Sequence, residues 1–148
     1  MKPRTLLYIL IGLSALVIIL WIYFTTQTAG TDVVYEAAVN RDCAPWDGMA
    51  YTITIPDQAG SVIVVFIWKS PDFHFPVTYS FPDSSGRVGT AVYQSTLDSF
   101  QPLNGKIILQ PFEVGSPIDG RFNFTLEDGE QFVGSFKAIW GNQIALCG

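Results

Sequence analysis

Histidine is almost absent from this chain, since its 148 residues include only one, His74. A catalytic triad or a Cys–His pair would have to use that residue, and so would most zinc sites. His74 lies between two phenylalanines in the segment DFHFP, and an exposed or edge-strand position explains it without any chemistry. The sequence therefore gives no basis for a catalytic residue, a metal site or a cofactor, and we expect none.

Cysteine is nearly as scarce, with Cys43 and Cys147 the only two in the chain. Neither has a CxxC partner or a nearby histidine, which disfavours a reactive thiol. In an oxidising compartment an even pair of cysteines is most simply a disulfide. We predict that Cys43 and Cys147 are bonded to each other, which would tie the last residues of the chain to the start of its folded domain.

Charged side chains are also few, and basic ones are the rarer kind: 8 Lys and Arg stand against 13 Asp and Glu. After Gly30 there are six basic and 13 acidic residues, a formal net charge of −7. Binding to nucleic acid depends on clustered Lys and Arg, and none of the six basic residues cluster. The sequence therefore argues against a nucleic-acid partner.

The longest apolar stretch, Leu6 to Phe24, holds no charged residue and is interrupted only by Gly12 and Ser14. As a helix its 19 residues would extend about 28 Å, close to the ~30 Å hydrocarbon core of a bilayer. A helix satisfies its own backbone hydrogen bonds in lipid. We predict a single transmembrane helix over residues 6–24, which makes the lipid bilayer the first partner of this chain.

Two basic residues, Lys2 and Arg4, precede the apolar segment, and the next one is Arg41. Basic residues are retained on the cytoplasmic side, so we expect the N-terminus inside and the domain outside the cytoplasmic membrane, in the periplasm or the extracellular space. A cleaved signal peptide is the alternative. Its apolar core is usually only ~7–15 residues long, and Thr28-Ala29-Gly30 is a poor match to a cleavage site. Both interpretations place the domain outside the cytoplasm.

Residues 25–31 form a short polar linker, and residues 32–148 show no helical periodicity. They contain short alternating or apolar segments separated by turn residues, as in SVIVVFIW at 61–68. The clearest unit is a hairpin in which Asp128-Gly129 joins two segments that alternate with a period of two. This pattern predicts an all-β domain, an antiparallel β-sandwich of about eight strands, preceded by the single N-terminal transmembrane helix of segment 1–24.

Acidic residues offer two further interpretations of function. A glycosidase needs only two suitably spaced carboxylates, but most of the acidic residues stand beside Gly, Pro or Ser in turns, where Asp is favoured for its backbone hydrogen bonds. The candidates for such a pair are Asp57, Asp72, Asp83, Asp98, Glu113 and Asp119. Glu127, Asp128 and Glu130 crowd one hairpin tip but lack the alternating ligands of a calcium loop.

Aromatic residues in turns are the best candidates for a binding surface. Trp46, Phe73 and Phe75 lie in or beside turn segments, where burial is less assured than in a strand. Exposed together, they would suit a protein partner or a stacked sugar; buried, they would only cap the domain. We expect a non-catalytic interaction module, an accessory subunit or envelope scaffold that binds a protein partner in the membrane or at the surface. The alternative is a ligand- or carbohydrate-binding domain that uses these rings.

Overall fold

The computed structural model describes residues 33–46, 48–57, 60–68, 75–96, 99–142 and 145–147. The chain divides into two units between Asp32 and Val33, and the described residues all belong to the second unit. The predicted transmembrane helix and the linker fall outside the described residues. In the part of the chain that is described, no helix is long and apolar enough to cross a membrane.

Nine β-strands make up the regular structure of the described residues, which contain no helix. In chain order they are β1 (Val34–Cys43), β2 (Met49–Pro56), β3 (Val62–Ile67), β4 (Val77–Phe81), β5 (Gly89–Thr96), β6 (Ser99–Pro102), β7 (Asn104–Leu109), β8 (Ile118–Thr125) and β9 (Gln131–Trp140). The all-β class predicted from the sequence is confirmed.

The predicted hairpin is formed by β8 and β9, with Phe124 opposite Phe132 in an antiparallel register. Alternate residues of β8 are buried and exposed, as the period-two pattern requires. The turn is closed by two backbone hydrogen bonds, from the Leu126 amide to the Glu130 carbonyl at 2.9 Å and from the Gly129 amide to the Leu126 carbonyl at 3.0 Å. Gly129 takes a φ of 95°, a conformation that favours glycine.

The strands form one mixed sheet in the order β4-β7-β8-β9-β1-β2-β3-β5-β6, in place of the predicted separate antiparallel sheets. Every pair is antiparallel except β1 with β9, which is parallel. A tight hairpin turn imposes antiparallel pairing, but β1 and β9 are the first and last strands and share no turn. Their direction is therefore set by packing, which the local sequence pattern does not reveal.

The sheet curls because two parts of the chain join its halves. Residues 34–39 of β1 pair with β9, while residues 38–43 of the same strand pair with β2. Only Leu103 separates β6, which pairs with β5, from β7, which pairs with β4 and β8. We call β4, β7, β8 and β9 the C-terminal half-sheet, and β2, β3, β5 and β6 the N-terminal half-sheet.

Both half-sheets contribute side chains to a single hydrophobic core. Phe124, which is fully buried, lies 6.2 Å from Phe81 and 6.0 Å from Phe122, measured between ring centroids. Burying one such side chain stabilises a fold by about 1.5–3 kcal/mol. From the N-terminal half-sheet, Ile53 and Val65 are fully buried in the same core. The inward faces of both halves are therefore apolar.

The predicted disulfide is present between Cys43, the last residue of β1, and Cys147, with Cα atoms 5.5 Å apart and a sequence separation of 104. Asp42 supports the bonded segment, because its carboxylate accepts hydrogen bonds from the Cys43 amide at 2.8 Å and from the Thr52 hydroxyl at 2.6 Å. In the chain-entropy description, closing a loop of this length stabilises the fold by about 4–5 kcal/mol.

Candidate binding surfaces

The disulfide gathers exposed apolar side chains at one end of the domain. Trp46 lies in the turn between β1 and β2, and Met49 is the register partner of Cys43. Leu146 is the chain neighbour of Cys147, which the disulfide holds beside Cys43. These three side chains are 50%, 63% and 91% exposed, respectively. With the partly exposed Trp68, which contacts Trp46, these are exposed apolar residues close to the disulfide, and we call the four of them the disulfide-end patch.

The two tryptophans of this patch are held in place by backbone and ring contacts. The Ala44 amide donates a 2.8 Å hydrogen bond to the Gly48 carbonyl and closes the turn that carries Trp46. A Cβ atom on Gly48 would lie 3.2 Å from the Trp46 indole nitrogen, so the ring folds closely over the glycine. Trp46 meets Trp68 edge to face, with ring centroids 5.8 Å apart. The patch thus offers a large apolar side chain in a supported position.

Of the three aromatic residues predicted as a binding surface, the structure describes Trp46 and Phe75. Trp46 contacts Trp68 in the disulfide-end patch, whereas Phe75 packs on Phe112 with ring centroids 5.3 Å apart. Phe112 in turn packs against the hydrophobic core, and Phe75 is half-buried. Phe73 lies outside the described residues. A single platform that includes Trp46, Phe73 and Phe75 therefore stays a prediction.

Sequence reasoning missed Met49, Trp68 and Leu146. Leu146 is 100 positions from Trp46 in the chain, and the Cys43–Cys147 bond holds the two regions together. The signal was available, because a predicted disulfide also predicts that the neighbours of its two cysteines are close. Trp68 could not be placed in this way, since it reaches Trp46 through the pairing of β2 with β3.

A cleft of about 410 Å³ lies between the end of β4, the start of β5 and the Leu103 corner. Its lining includes two carboxylates, Asp83 and Glu127, together with the polar side chains of Thr90 and Asn104. Two carboxylates in one cleft are the minimal requirement for glycoside hydrolysis, in which one of them must act as a protonated acid. The protonation of Asp83 is therefore informative.

The Asp83 carboxylate accepts hydrogen bonds from its own loop. Its carboxylate accepts a hydrogen bond from the Ser85 hydroxyl and from the backbone amides of Arg87 at 2.9 Å and Val88 at 3.0 Å. The Ser85 bond contributes most to lowering the pKa of Asp83 from 3.8 to about 2. Because the folded-state pKa is the lower one, this stabilisation is present above about pH 4 and is lost as the pH falls towards 2. Ionised at neutral pH, Asp83 does not fit the role of general acid.

Other acidic residues named from the sequence serve turns or surface pairs. Asp128 accepts a 3.0 Å hydrogen bond from the Glu130 amide, as expected of a turn-forming residue. Asp119 faces Lys137 at 3.9 Å, and both side chains are more than half exposed, so the pair contributes little stability. Asp72 and Asp98 lie outside the described residues. Within the described ranges, no group of three or more His, Cys, Asp or Glu residues is placed to hold a metal ion.

Comparison of the chain with known proteins leaves the geometry as the only guide to function. No family model, no curated protein and no solved structure matches the chain. The most distinctive exposed residues are those of the disulfide-end patch, which include a half-exposed tryptophan and two exposed apolar side chains, Met49 and Leu146.

Proposed function

We propose that this protein is a non-catalytic interaction module, anchored in the cytoplasmic membrane and held outside the cytoplasm, where it serves as an accessory subunit or envelope scaffold. The observation that carries the proposal is the disulfide-end patch. Clustered exposed apolar side chains on a soluble domain mark binding surfaces, and tryptophan is among the residues that contribute most to protein interfaces. Its partner in this proposal is another protein with an apolar binding site.

The patch lies at the end of β1 that is farther from the point where the chain enters the domain. The chain enters at Val34, the first residue of β1, and the patch lies close to Cys43, the last residue of that strand. Ten extended residues span about 30 Å along the strand at about 3.3 Å per residue. Within the domain, the patch is therefore separated from the predicted linker by the length of β1.

Two features support the proposed location. A disulfide is typical of proteins in oxidising compartments, which lie outside the cytoplasm. The basic residues Lys2 and Arg4 precede the apolar residues 6–24, an arrangement typical of a membrane anchor with its N-terminus inside. The linker of seven residues, 25–31, would keep the domain close to the membrane.

Carbohydrate binding is the second candidate function, and the half-exposed Trp46 is the observation that favours it. An indole ring offers a flat apolar surface on which a sugar ring packs. This alternative needs only Trp46 and its supporting contact with Trp68. A protein partner also needs Met49 and Leu146, because together they widen the apolar surface. Substitution of Leu146 therefore separates the two functions.

The proposal is tested by purifying the tagged full-length chain from membranes in mild detergent and identifying what accompanies it by mass spectrometry. We expect a co-purifying protein whose recovery falls at least tenfold in Trp46→Ala and in Leu146→Asp. Val133→Asp is the matched control, because Val133 is 60% exposed on β9, away from the patch, and should leave recovery unchanged.

Two outcomes would count against a protein partner. Recovery of the wild-type chain alone would contradict the accessory-subunit role. Full recovery of the partner with Trp46→Ala would show that the patch does not bind that partner. Retardation of the wild-type chain in polysaccharide-containing gels, abolished by Trp46→Ala but retained by Leu146→Asp, would favour the carbohydrate alternative. Each variant is first checked for an unchanged melting temperature, so that lost binding is not confused with lost folding.

A further inference from the structure

Three of the eight Lys and Arg residues of the chain lie on one surface, the outer surface of the C-terminal half-sheet. They are Lys106 on β7, Arg121 on β8 and Lys137 on β9, and all three are exposed. The register places Lys106 opposite Asn123, two residues after Arg121 along β8. On the other side of β8, Lys137 is opposite Asp119, two residues before Arg121. The three basic residues therefore form a straight line across three neighbouring strands, which we call the basic diagonal.

The basic diagonal gives this surface a charge opposite to that of the chain as a whole. The chain has 8 basic and 13 acidic residues, a formal net charge of −5. The four strands of the C-terminal half-sheet contain the three residues of the diagonal and a single acidic residue, Asp119. On the neighbouring strand β1, Glu36 lies opposite Lys137. A locally positive surface on an acidic protein attracts acidic partners and orients them as they approach.

The spacing of the diagonal matches that of an extended polypeptide. Diagonal neighbours in an antiparallel sheet lie about 7–8 Å apart. In an extended segment every second side chain points the same way, at intervals of about 6.7 Å. Three carboxylates at alternate positions of such a segment can therefore face Lys106, Arg121 and Lys137 in turn, because the long basic side chains absorb the small difference in spacing.

We infer that the basic diagonal binds an extended protein segment that carries acidic residues at alternate positions. Apolar side chains beside the diagonal favour a protein segment over an anionic polysaccharide. The half-buried Ile108 lies opposite Arg121. Ile139, which is 63% exposed, follows Lys137 by two residues on β9. A protein segment brings its own apolar side chains to these two residues, whereas a polysaccharide brings mainly charge.

The exposure of the three basic side chains predicts a weak association that depends on salt. Exposed ion pairs each contribute little, and Asp119 already competes for Lys137, with its carboxylate 3.9 Å from the lysine nitrogen. Raising the ionic strength screens all of these pairs. This inference goes beyond the proposed function and does not rest on it, because Trp46 and the rest of the disulfide-end patch are not part of the basic diagonal.

Fluorescence anisotropy of a labelled synthetic peptide, titrated with the purified full-length chain in uncharged detergent, tests the inference. The peptide alternates glutamate with threonine over about ten residues, which is long enough to span the diagonal. A comparison peptide of the same composition groups its glutamates together. The variants Lys106→Gln and Arg121→Gln each remove one charge from the diagonal. Arg87→Gln is the matched control, because Arg87 is exposed in the loop between β4 and β5 and its loss changes the net charge equally.

We expect the alternating peptide to bind about threefold more tightly than the grouped one, and its affinity to fall as salt is added. Lys106→Gln and Arg121→Gln should each lower the affinity about three- to fivefold, as expected for the loss of one exposed ion pair. Asp119→Asn should raise it about twofold, because a competing carboxylate is removed. Arg87→Gln and Trp46→Ala should leave it nearly unchanged.

Equal losses of affinity with Arg87→Gln and Arg121→Gln would show that only net charge matters, and would overturn the inference. It is also overturned if the peptide does not bind, if the two peptides bind equally, or if a sulfated polysaccharide of equal charge binds more tightly. The melting temperature of each variant is measured first, and Lys106→Gln keeps the test decisive if Arg121→Gln fails to fold.

Discussion

The two half-sheets share one core but differ on their outer surfaces. The C-terminal half-sheet carries the exposed charged side chains Lys106, Arg121 and Lys137, besides the exposed apolar side chains Val133 and Ile139. The outward residues of the N-terminal half-sheet include Thr54, Val64 and Val92, of which Val64 is only 8% exposed. Both inward faces are apolar because both bury the same core. The two outer surfaces therefore differ in charge and in exposure, although they cover the same core.

Loss of the disulfide should have the largest effect on stability, because the bond fixes the end of β1, the strand that joins the two half-sheets, to the last residues of the chain. We expect the double variant Cys43→Ser, Cys147→Ser to lose about 4–5 kcal/mol of unfolding free energy. Its melting temperature should fall on the order of 15 °C. Thermal unfolding of the full-length chain in detergent, followed by circular dichroism, measures this fall.

A reducing agent provides the internal control for that experiment. It should lower the melting temperature of the wild-type chain towards that of the double variant, and it should leave the double variant itself unchanged. Because the disulfide-end patch depends on the same bond, reduction should also weaken retention of the co-purifying partner. A wild-type melting temperature that does not respond to the reducing agent would show that the bond adds no stability.

A smaller effect is expected at the corner that joins the two half-sheets. Gly105 has a φ of 142°, and a Cβ atom there would lie 2.0 Å from the Asn123 carbonyl oxygen. Gly105→Ala should therefore cost more than Gly129→Ala, because Gly129 also has a positive φ, of 95°, but open space around it. Gly105→Ala should lower the free energy of unfolding by about 1–3 kcal/mol more than Gly129→Ala does, because only the Ala side chain at position 105 clashes with a neighbouring atom. Denaturant unfolding of both variants measures this difference. Equal losses of unfolding free energy would show that the backbone at the corner shifts to accommodate the added Cβ atom.

The sequence predicted those parts of the fold that depend on local pattern. The period-two alternation in β8 and β9, with Asp128-Gly129 between them, predicted the hairpin that the structure contains. The continuous apolar segment 61–68 predicted a strand, and β3 lies within it, paired on its two edges with β2 and β5. Local pattern carries no information about which distant strands pair. The local sequence pattern therefore could not predict the parallel pairing of β1 with β9 or the curl of the sheet at Leu103.

The candidate site was predicted only in part, for a related reason. Trp46 was recognised because turn residues mark exposed loops, and it is indeed half-exposed. Its neighbours Met49 and Leu146 were not recognised, because exposure and proximity depend on the folded arrangement around the disulfide. The outer surface of the N-terminal half-sheet illustrates the same limit. Thr54, Val64 and Val92 lie on three different strands, and only the register of those strands shows that they are neighbours.

The central claim is that a membrane anchor holds this β-domain outside the cytoplasm, and the topology of the full-length chain in membranes tests it most directly. The chain carries one tag before Met1 and another after Gly148. Membranes are extracted at alkaline pH, and cells bounded only by an intact cytoplasmic membrane (spheroplasts where an outer membrane is present) are treated with external protease. We expect the chain to stay in the membrane fraction, the C-terminal tag to be removed and the N-terminal tag to be retained. Release of the chain into the soluble fraction, or protection of the C-terminal tag in these cells, would contradict the account.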